Sequence, residues 1–324
     1  LNKLVLKGLA ALALSAVAMV AAAQSAYPNR PIRYIVPFPP GGSADAISRL
    51  LAVEMGKTFG QQVIVENKPG AGATIGVDQA LKSAPDGYTL FLAPAGAMAI
   101  NLSLMPRLPY DPLKDTQPIS MLAHIPMVLA VPANSAIKSV QDLISAAKAN
   151  PGSISFGSAG NGTAMHLTGE MFKLMTGVQM NHVPYKGSGP ATVDVMAGTI
   201  PVAFVDLSSA LPHIRAGKVR GLATPGAKRT LSAPDLPTVI EQGVSGFDAV
   251  GWFGLAGPAG MPKDVVAKLS AEVNRIMNLP EVREKALSLG AEPAPGTPEA
   301  FEAFIRAEIP KWANVVKAGG IRLD

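Results

Sequence analysis

Apolar and polar positions fall in short alternating blocks, and these blocks predict strands and helices in turn. Residues 34–38 (Tyr34-Ile35-Val36-Pro37-Phe38) are largely β-branched and aromatic, which suits a buried strand. Pro39 and Pro40 stop it, because neither can donate to a sheet ladder. Gly41 and Gly42 let the backbone turn without a Cβ in the way. Ser43 is then expected as a helix N-cap, and Ile47, Leu50, Leu51 and Met55 recur at helical spacing. The same form returns far along the chain. Residues 153–156 read as a strand, 157–163 as a glycine loop and 164–175 as a helix.

Between and beyond these two units the pattern continues. Residues 63–65 and 89–93 predict strands, and 74–82 a helix. Four prolines within 106–118 mark an extended surface connection. The apolar run 121–131 predicts one strand that leaves the first half of the fold and enters the second. There, helices over 140–149, 164–175, 191–197 and 208–216 alternate with strands over 153–156, 179–183, 200–205 and 219–223. This βαβα rhythm predicts a parallel sheet with helices on both faces. The apolar strand 249–256 predicts a return crossing. Helices over 263–277, 281–289 and 298–317 follow, and Pro310 is expected to kink or break the last. The fold class is therefore α/β, with two lobes: 27–126 plus 252–324, and 127–251.

The N-terminal stretch stands outside this pattern. Lys3 and Lys7, the uncharged apolar run 9–20 and the small residues Ala21-Ala22-Ala23 predict a secretory signal peptide over 1–23, with cleavage after Ala26 as the alternative. The apolar run is short for a membrane span. An exported chain with no cysteine must rely on its core rather than on disulfides. The formal net charge is +5, and without Lys3 and Lys7 it is +3. That is too mild and dispersed to argue for nucleic acid. The expected location is the periplasm or the outside of the cell.

Candidate chemistry gathers at strand ends. Each strand–loop–helix unit aims backbone N–H groups into one space at the positive end of a helix, which suits an anion. Two such cradles in different halves predict a ligand held between two lobes. In an open parallel sheet ligands collect at the C-terminal ends of strands, so 95–98, 160–163, 185–188 and Asp206 are expected on one edge. Asp206 reads either as the N-cap of the following helix or as an acceptor for a ligand. Phe38, Met98 and Met165 would give the site an apolar side.

Other signals are weaker. Gly70, Gly72 and Gly76 after a strand imitate a dinucleotide fingerprint, but the third glycine is one residue late and Pro69 interrupts the turn. There is no G-x-S-x-G elbow, no complete phosphate loop around Gly56-Lys57-Thr58 and no H-E-x-x-H. His124, His166, His182 and His213 lack metal-ligand spacing. His166 reads as a packing or capping histidine, with a base as the alternative. No cofactor or metal is expected.

Several segments together resemble one family. They are residues 35–45 (Ile35 to Asp45), Glu66-Asn67-Lys68-Pro69-Gly70-Ala71-Gly72 with Pro85-Asp86-Gly87-Tyr88-Thr89, and Gly157-Ser158-Ala159-Gly160-Asn161-Gly162-Thr163 with His166. Val183-Pro184-Tyr185-Lys186-Gly187, and Leu236-Pro237-Thr238 with Glu241 and Gly243, complete the set. In this order the chain resembles the substrate-binding receptors of tripartite tricarboxylate transporters, also called Bug receptors. The resemblance implies a type II periplasmic binding protein, two α/β lobes joined by two crossover strands with the ligand cleft between them. It implies a small organic carboxylate as ligand, with dicarboxylic and aromatic acids both in range, and delivery to membrane permease subunits. A monomer is expected, and not an enzyme. The runners-up are a secreted α/β enzyme acting on a small organic acid and a receptor used only as a sensor. Carried onto this chain, the ligand-binding residues expected are Phe38, Pro39, Gly41, Gly42, Ser43, Asp45, Ala95, Met98, Ser158, Gly160, Asn161, Gly162, Thr163, His166, Tyr185, Gly187, Ser188 and Asp206.

Overall fold

In the computed structural model, which describes residues 27–322, the strand blocks assemble into two separate sheets. The signal-peptide expectation lies outside the described residues. The first sheet has the order β11-β4-β10-β3-β1-β2. Its parallel part is β1 (Ile32–Val36) between β2 (Val63–Asn67) and β3 (Thr89–Pro94). Strand β10 (Gly251–Pro258) runs antiparallel between β3 and β4 (Thr116–Ile125), and the short β11 (Glu292–Pro293) borders β4. The second sheet has the order β7-β6-β8-β5-β9, with β6 (Ile154–Ser158) parallel to β7 (Met180–Pro184) and β8 (Val202–Asp206).

The purely parallel second sheet expected from the rhythm is corrected here. Strand β5 (Met127–Pro132) lies antiparallel between β8 and β9 (Val219–Ala223). It arrives from the other lobe, so it runs against the strands it joins. The expected single crossing strand 121–131 is also two strands, broken at Pro126. Proline has no N–H for the ladder. Its carbonyl instead accepts from Leu207 N–H at 2.8 Å.

Both faces of the central strands are covered, which is why they read as continuous apolar runs. In β1, Ile32, Tyr34 and Val36 join one buried cluster while Ile35 joins another, the alternation of a pleated strand. The helices that carry the later argument are α1 (Ser43–Phe59), α2 (Thr74–Leu81), α3 (Asn101–Leu104), α4 (Val140–Ala149), α5 (Ala164–Thr176), α6 (Ser188–Ala197), α7 (Leu207–Arg215), α8 (Lys263–Met277), α9 (Pro280–Ser288) and α10 (Pro298–Ala318). No helix among the described residues is long and apolar enough to cross a membrane.

Helix α10 runs through Pro310, so of the kink or break expected there, the break does not occur. Side chains on both sides of the proline anchor it: Phe301, Ile305 and Trp312 are buried. Between them, the buried Glu308 accepts from the indoles of Trp252 (3.1 Å) and Trp312 (2.9 Å). These contacts outweigh one lost backbone bond. Replacing Glu308 by alanine strands two buried indole N–H groups. The expected cost is about 2–4 kcal/mol, read as a fall in melting temperature of roughly 5–10 °C. A melting temperature unchanged in the Glu308→Ala protein would contradict this packing.

Candidate functional site: a closed cleft between the lobes

The loop after β1 is built differently from the sequence expectation. Gly42, not Ser43, holds the N-cap position of α1, and no side chain caps that helix. The Ser43 hydroxyl is free to reach across the cleft, and Oγ donates to Asp206 Oδ2 at 2.8 Å. Asp45, expected at the ligand, faces away. It accepts from the Gly41 N–H (3.0 Å), from Arg49 (3.0 Å) and from Asn67 Nδ2 (3.0 Å), which also donates to the Phe38 carbonyl (3.0 Å). Burial pushes the Asp45 carboxyl up, but these partners together hold it below the usual carboxylate range. Asp45 is thus a brace behind the loop.

The loop after β6 is braced in the same manner, by histidines. The Gly162 N–H donates to His166 Nδ1 at 3.3 Å. The His166 ring stacks on His182 at 3.9 Å. His182 Nε2 lies 2.6 Å from Ser158 Oγ, which accepts from the Gly160 N–H at 3.1 Å. Thr163 Oγ1 donates to the Gly160 carbonyl at 2.7 Å and accepts from the His166 N–H at 3.4 Å, as an N-cap should. Burial lowers His166 to about 4 and His182 to about 3, so both rings are neutral at pH 7. A neutral ring can accept from Gly162, which a charged one cannot.

Asp206 closes β8 and stands at the N-cap position of α7 without capping it. Its own N–H donates to Ser188 Oγ at 3.1 Å. Carboxyl oxygen Oδ1 is buried and has no hydrogen-bond partner among the described residues. Burial raises its pKa from 3.8 to about 6, with Ser43 and Ser188 acting against the rise.

These loops enclose a cavity of about 240 Å³ between the sheets. Of the expected residues, Phe38, Pro39, Gly41, Gly42, Ser43, Ala95, Thr163, Gly187, Ser188 and Asp206 line it. Asp45, Met98, Ser158, Gly160, Asn161, Gly162, His166 and Tyr185 do not. Met98 is fully buried inside the first lobe, in the π-helical turn Gly96–Ile100. Tyr185 turns outward, and its hydroxyl donates to Asp194 Oδ2 at 2.8 Å. Gly96 falls within the expected stretch 95–98, and Gly72 was missed; on the crossings, so were Ile125, Trp252 and Phe253. Their positions at the ends of β4 and β10 were the available signal.

The N-termini of α1, α5, α6 and α7 all open onto this space, through Gly42-Ser43, Thr163-Ala164, Gly187-Ser188 and Asp206. Lys186 is the sole Lys or Arg among the lining residues. Positive potential therefore comes chiefly from peptide dipoles, and the remaining wall (Phe38, Ile125, Met165, Trp252, Phe253) is apolar. At the mouth the lobes meet closely, with the Asn101 side chain of one lobe, which donates to the Gly72 carbonyl at 3.1 Å, set against Gly162 of the other. A Cβ on Gly72 would stand 2.6 Å from the Asn161 carbonyl oxygen, and one on Gly96 would stand 2.6 Å from that of Gly162. The cleft is closed.

Two α/β lobes, two crossings and an enclosed, dipole-rich cleft define a two-lobed solute-binding protein. The chain belongs to the tripartite tricarboxylate transporter family receptors, whose family model matches residues 47–321. It is 41% identical over 311 residues to the protein BugT of Bordetella pertussis, covering 95% of each chain. Among solved structures it is similar to an R. palustris protein with adipate (34% identity, TM-score 0.88, covering 92% of this chain and 100% of that one). It is also similar to MatC from Rhodopseudomonas palustris with bound malate (31% identity, TM-score 0.83, 90% and 100% covered).

A Gly96→Val substitution should leave each lobe folded but keep the lobes apart, because the new side chain meets backbone rather than a movable side chain. Far-ultraviolet circular dichroism should be unchanged, while small-angle scattering should show a larger radius of gyration than wild type under identical conditions. A wild-type radius would contradict the close approach of Gly96 and Gly162.

Proposed function

We propose that this chain is a periplasmic receptor that captures a small organic carboxylate in the cleft and delivers it to the permease subunits of a tripartite membrane transporter. One observation carries the reading: four helix N-termini converge on one enclosed cavity in which a buried acid has a free oxygen. Each helix end stabilises an anion by ~0.3–1 kcal/mol, and up to ~2 kcal/mol when partly buried. Micromolar binding requires about 8 kcal/mol. The dipoles therefore orient the carboxylate, and hydrogen bonds from first-turn N–H groups of these helices, with apolar enclosure, supply the rest. The adipate and malate in similar structures support aliphatic acids as first candidates. The wall of Phe38, Met165, Trp252 and Phe253 suits an apolar carbon skeleton.

Asp206 gives the site a pH dependence whose sign is fixed. Its folded pKa is raised, so the closed protein takes up a proton that the unfolded chain releases. Without ligand, stability should fall as pH rises between about 4 and about 6. With a carboxylate that is fully ionised throughout, affinity should rise as pH is lowered from 8 towards 6, because a protonated Asp206 donates to the ligand instead of repelling it. Titration calorimetry with adipate and malate at pH 8 and 6 checks both the reading and the sign. Tighter binding at pH 6, with the trend flattened in Asp206→Asn, is expected. Failure of every small carboxylate in a wider panel to bind would overturn the reading, and a ligand recovered chemically altered would favour an enzyme.

A further inference from the structure

A second cavity, of about 350 Å³, lies behind the crossings. Neighbouring residues on the crossings face opposite spaces. Ile125 lines the cleft, whereas His124, Pro126 and Met127 line the rear cavity. On the return crossing Gly251 and Trp252 line the cleft, and Val250 lines the rear cavity. The two crossings are thus the wall between the cavities. Trp252 spans that wall, since it lines the cleft while its indole donates to Glu308, which lines the rear.

Both lobes contribute to the rear cavity. His124, Glu292, Phe304 and Glu308 come from the six-stranded lobe, and Thr224, Lys228 and Asp248 follow β9 of the other. Half of its six lining charges are already matched: Arg229 pairs with Glu241 at 3.0 Å, and Lys311 with Glu308 at 3.1 Å. Asp248 and Glu292 take part in no ion pair among the described residues. Asp248 Oδ1 accepts from the Ala227 N–H at 3.1 Å, and Glu292 Oε1 accepts from the Leu231 N–H at 2.7 Å and from Thr230 Oγ1. Among the described residues, no hydrogen bond reaches the second oxygen of either. Thr224, 2% exposed, lines the same cavity, and its hydroxyl has no hydrogen-bond partner among the described residues. Burial holds His124 below the usual histidine range against the pull of Glu292, Glu308 and Asp248, so its ring offers a lone pair at neutral pH. Two unmatched carboxylates face one unmatched cation, the exposed Lys228. The chemistry that completes this set is a compact ammonium donor.

We propose that the rear cavity is a second binding site, taking a small primary amine as its ammonium ion between Asp248 and Glu292, and that its occupant holds the cleft closed. The coupling follows from the placement of the wall. Lobes that rotate about the crossings cannot open the cleft without narrowing the space behind it. An occupant of the rear space therefore has differential affinity for the closed state, which is what a shift in equilibrium requires. The coupling rests on the carboxylate reading above; the amine site does not.

The test is calorimetry on the mature chain with ethanolamine, with propionate as the control that lacks an ammonium group. Ethanolamine should bind saturably in the absence of any cleft ligand. Asp248→Asn should weaken it at least tenfold, with circular dichroism confirming the fold. Ala227→Phe, which fills the rear cavity from an exposed loop position, should abolish ethanolamine binding. It should also tighten adipate binding several-fold with no amine present, as saturating ethanolamine should in wild type. Absence of saturable ethanolamine binding, or wild-type affinity in Asp248→Asn, overturns the site. Ethanolamine binding that leaves adipate affinity unmoved overturns the coupling. If adipate and every other small carboxylate of the panel fail to bind wild type, the carboxylate reading falls, while the ethanolamine titration still decides the amine site.

Discussion

A carboxylate buried at the meeting of two lobes is the constraint on which the cleft depends. Asp206 is enclosed, and its side-chain donor Ser43 belongs to the opposite lobe. Burying an acid without its full set of partners is costly. The cost appears here as a pKa raised to about 6. The bond to Ser43 exists only while the lobes are together. One oxygen remains free at the head of a cavity ringed by peptide dipoles. On the function proposed above, closure and ligand capture draw on the same group, and a ligand that satisfies the free oxygen strengthens the closed state.

The contacts around that bond are made by backbone and by the buried side chain of Asn101, which holds the Gly72 carbonyl and faces Gly162. Gly72 lies against Asn161, and Gly96 against Gly162, so the lobes approach as closely as main chains allow. Behind these contacts, the loops are held by buried networks, Asp45 with Asn67 in one lobe and Ser158 with His182 and His166 in the other.

Much of this was legible in the sequence. Proline and glycine after an apolar run, followed by helical spacing, correctly placed both loops and the helix starts. Periodicity gives the ends of strands, but not the direction in which each side chain leaves the loop. Asp45, Ser158 and His166 were therefore read as ligand groups, although they face backwards. Ser43 was read as a cap because its decisive partner, Asp206, is distant in sequence. Trp252 and Phe253 were read only as crossing residues. Their place in the cleft wall follows from β10 lying between β3 and β4, a pairing that no local pattern encodes. Pro310 shows the same limit from the other side, since a local helix breaker is overruled by Glu308 and its two indoles.

The most direct measurement is the distance between the lobes with and without ligand. The chain contains no cysteine, so spin labels can be placed cleanly at Val53 and Val193, exposed positions on α1 and α6 in opposite lobes. Pulsed electron resonance should show a broad distribution without ligand that collapses to one shorter distance when a small carboxylate saturates the protein. A distribution unchanged by a carboxylate that demonstrably binds would contradict capture by closure.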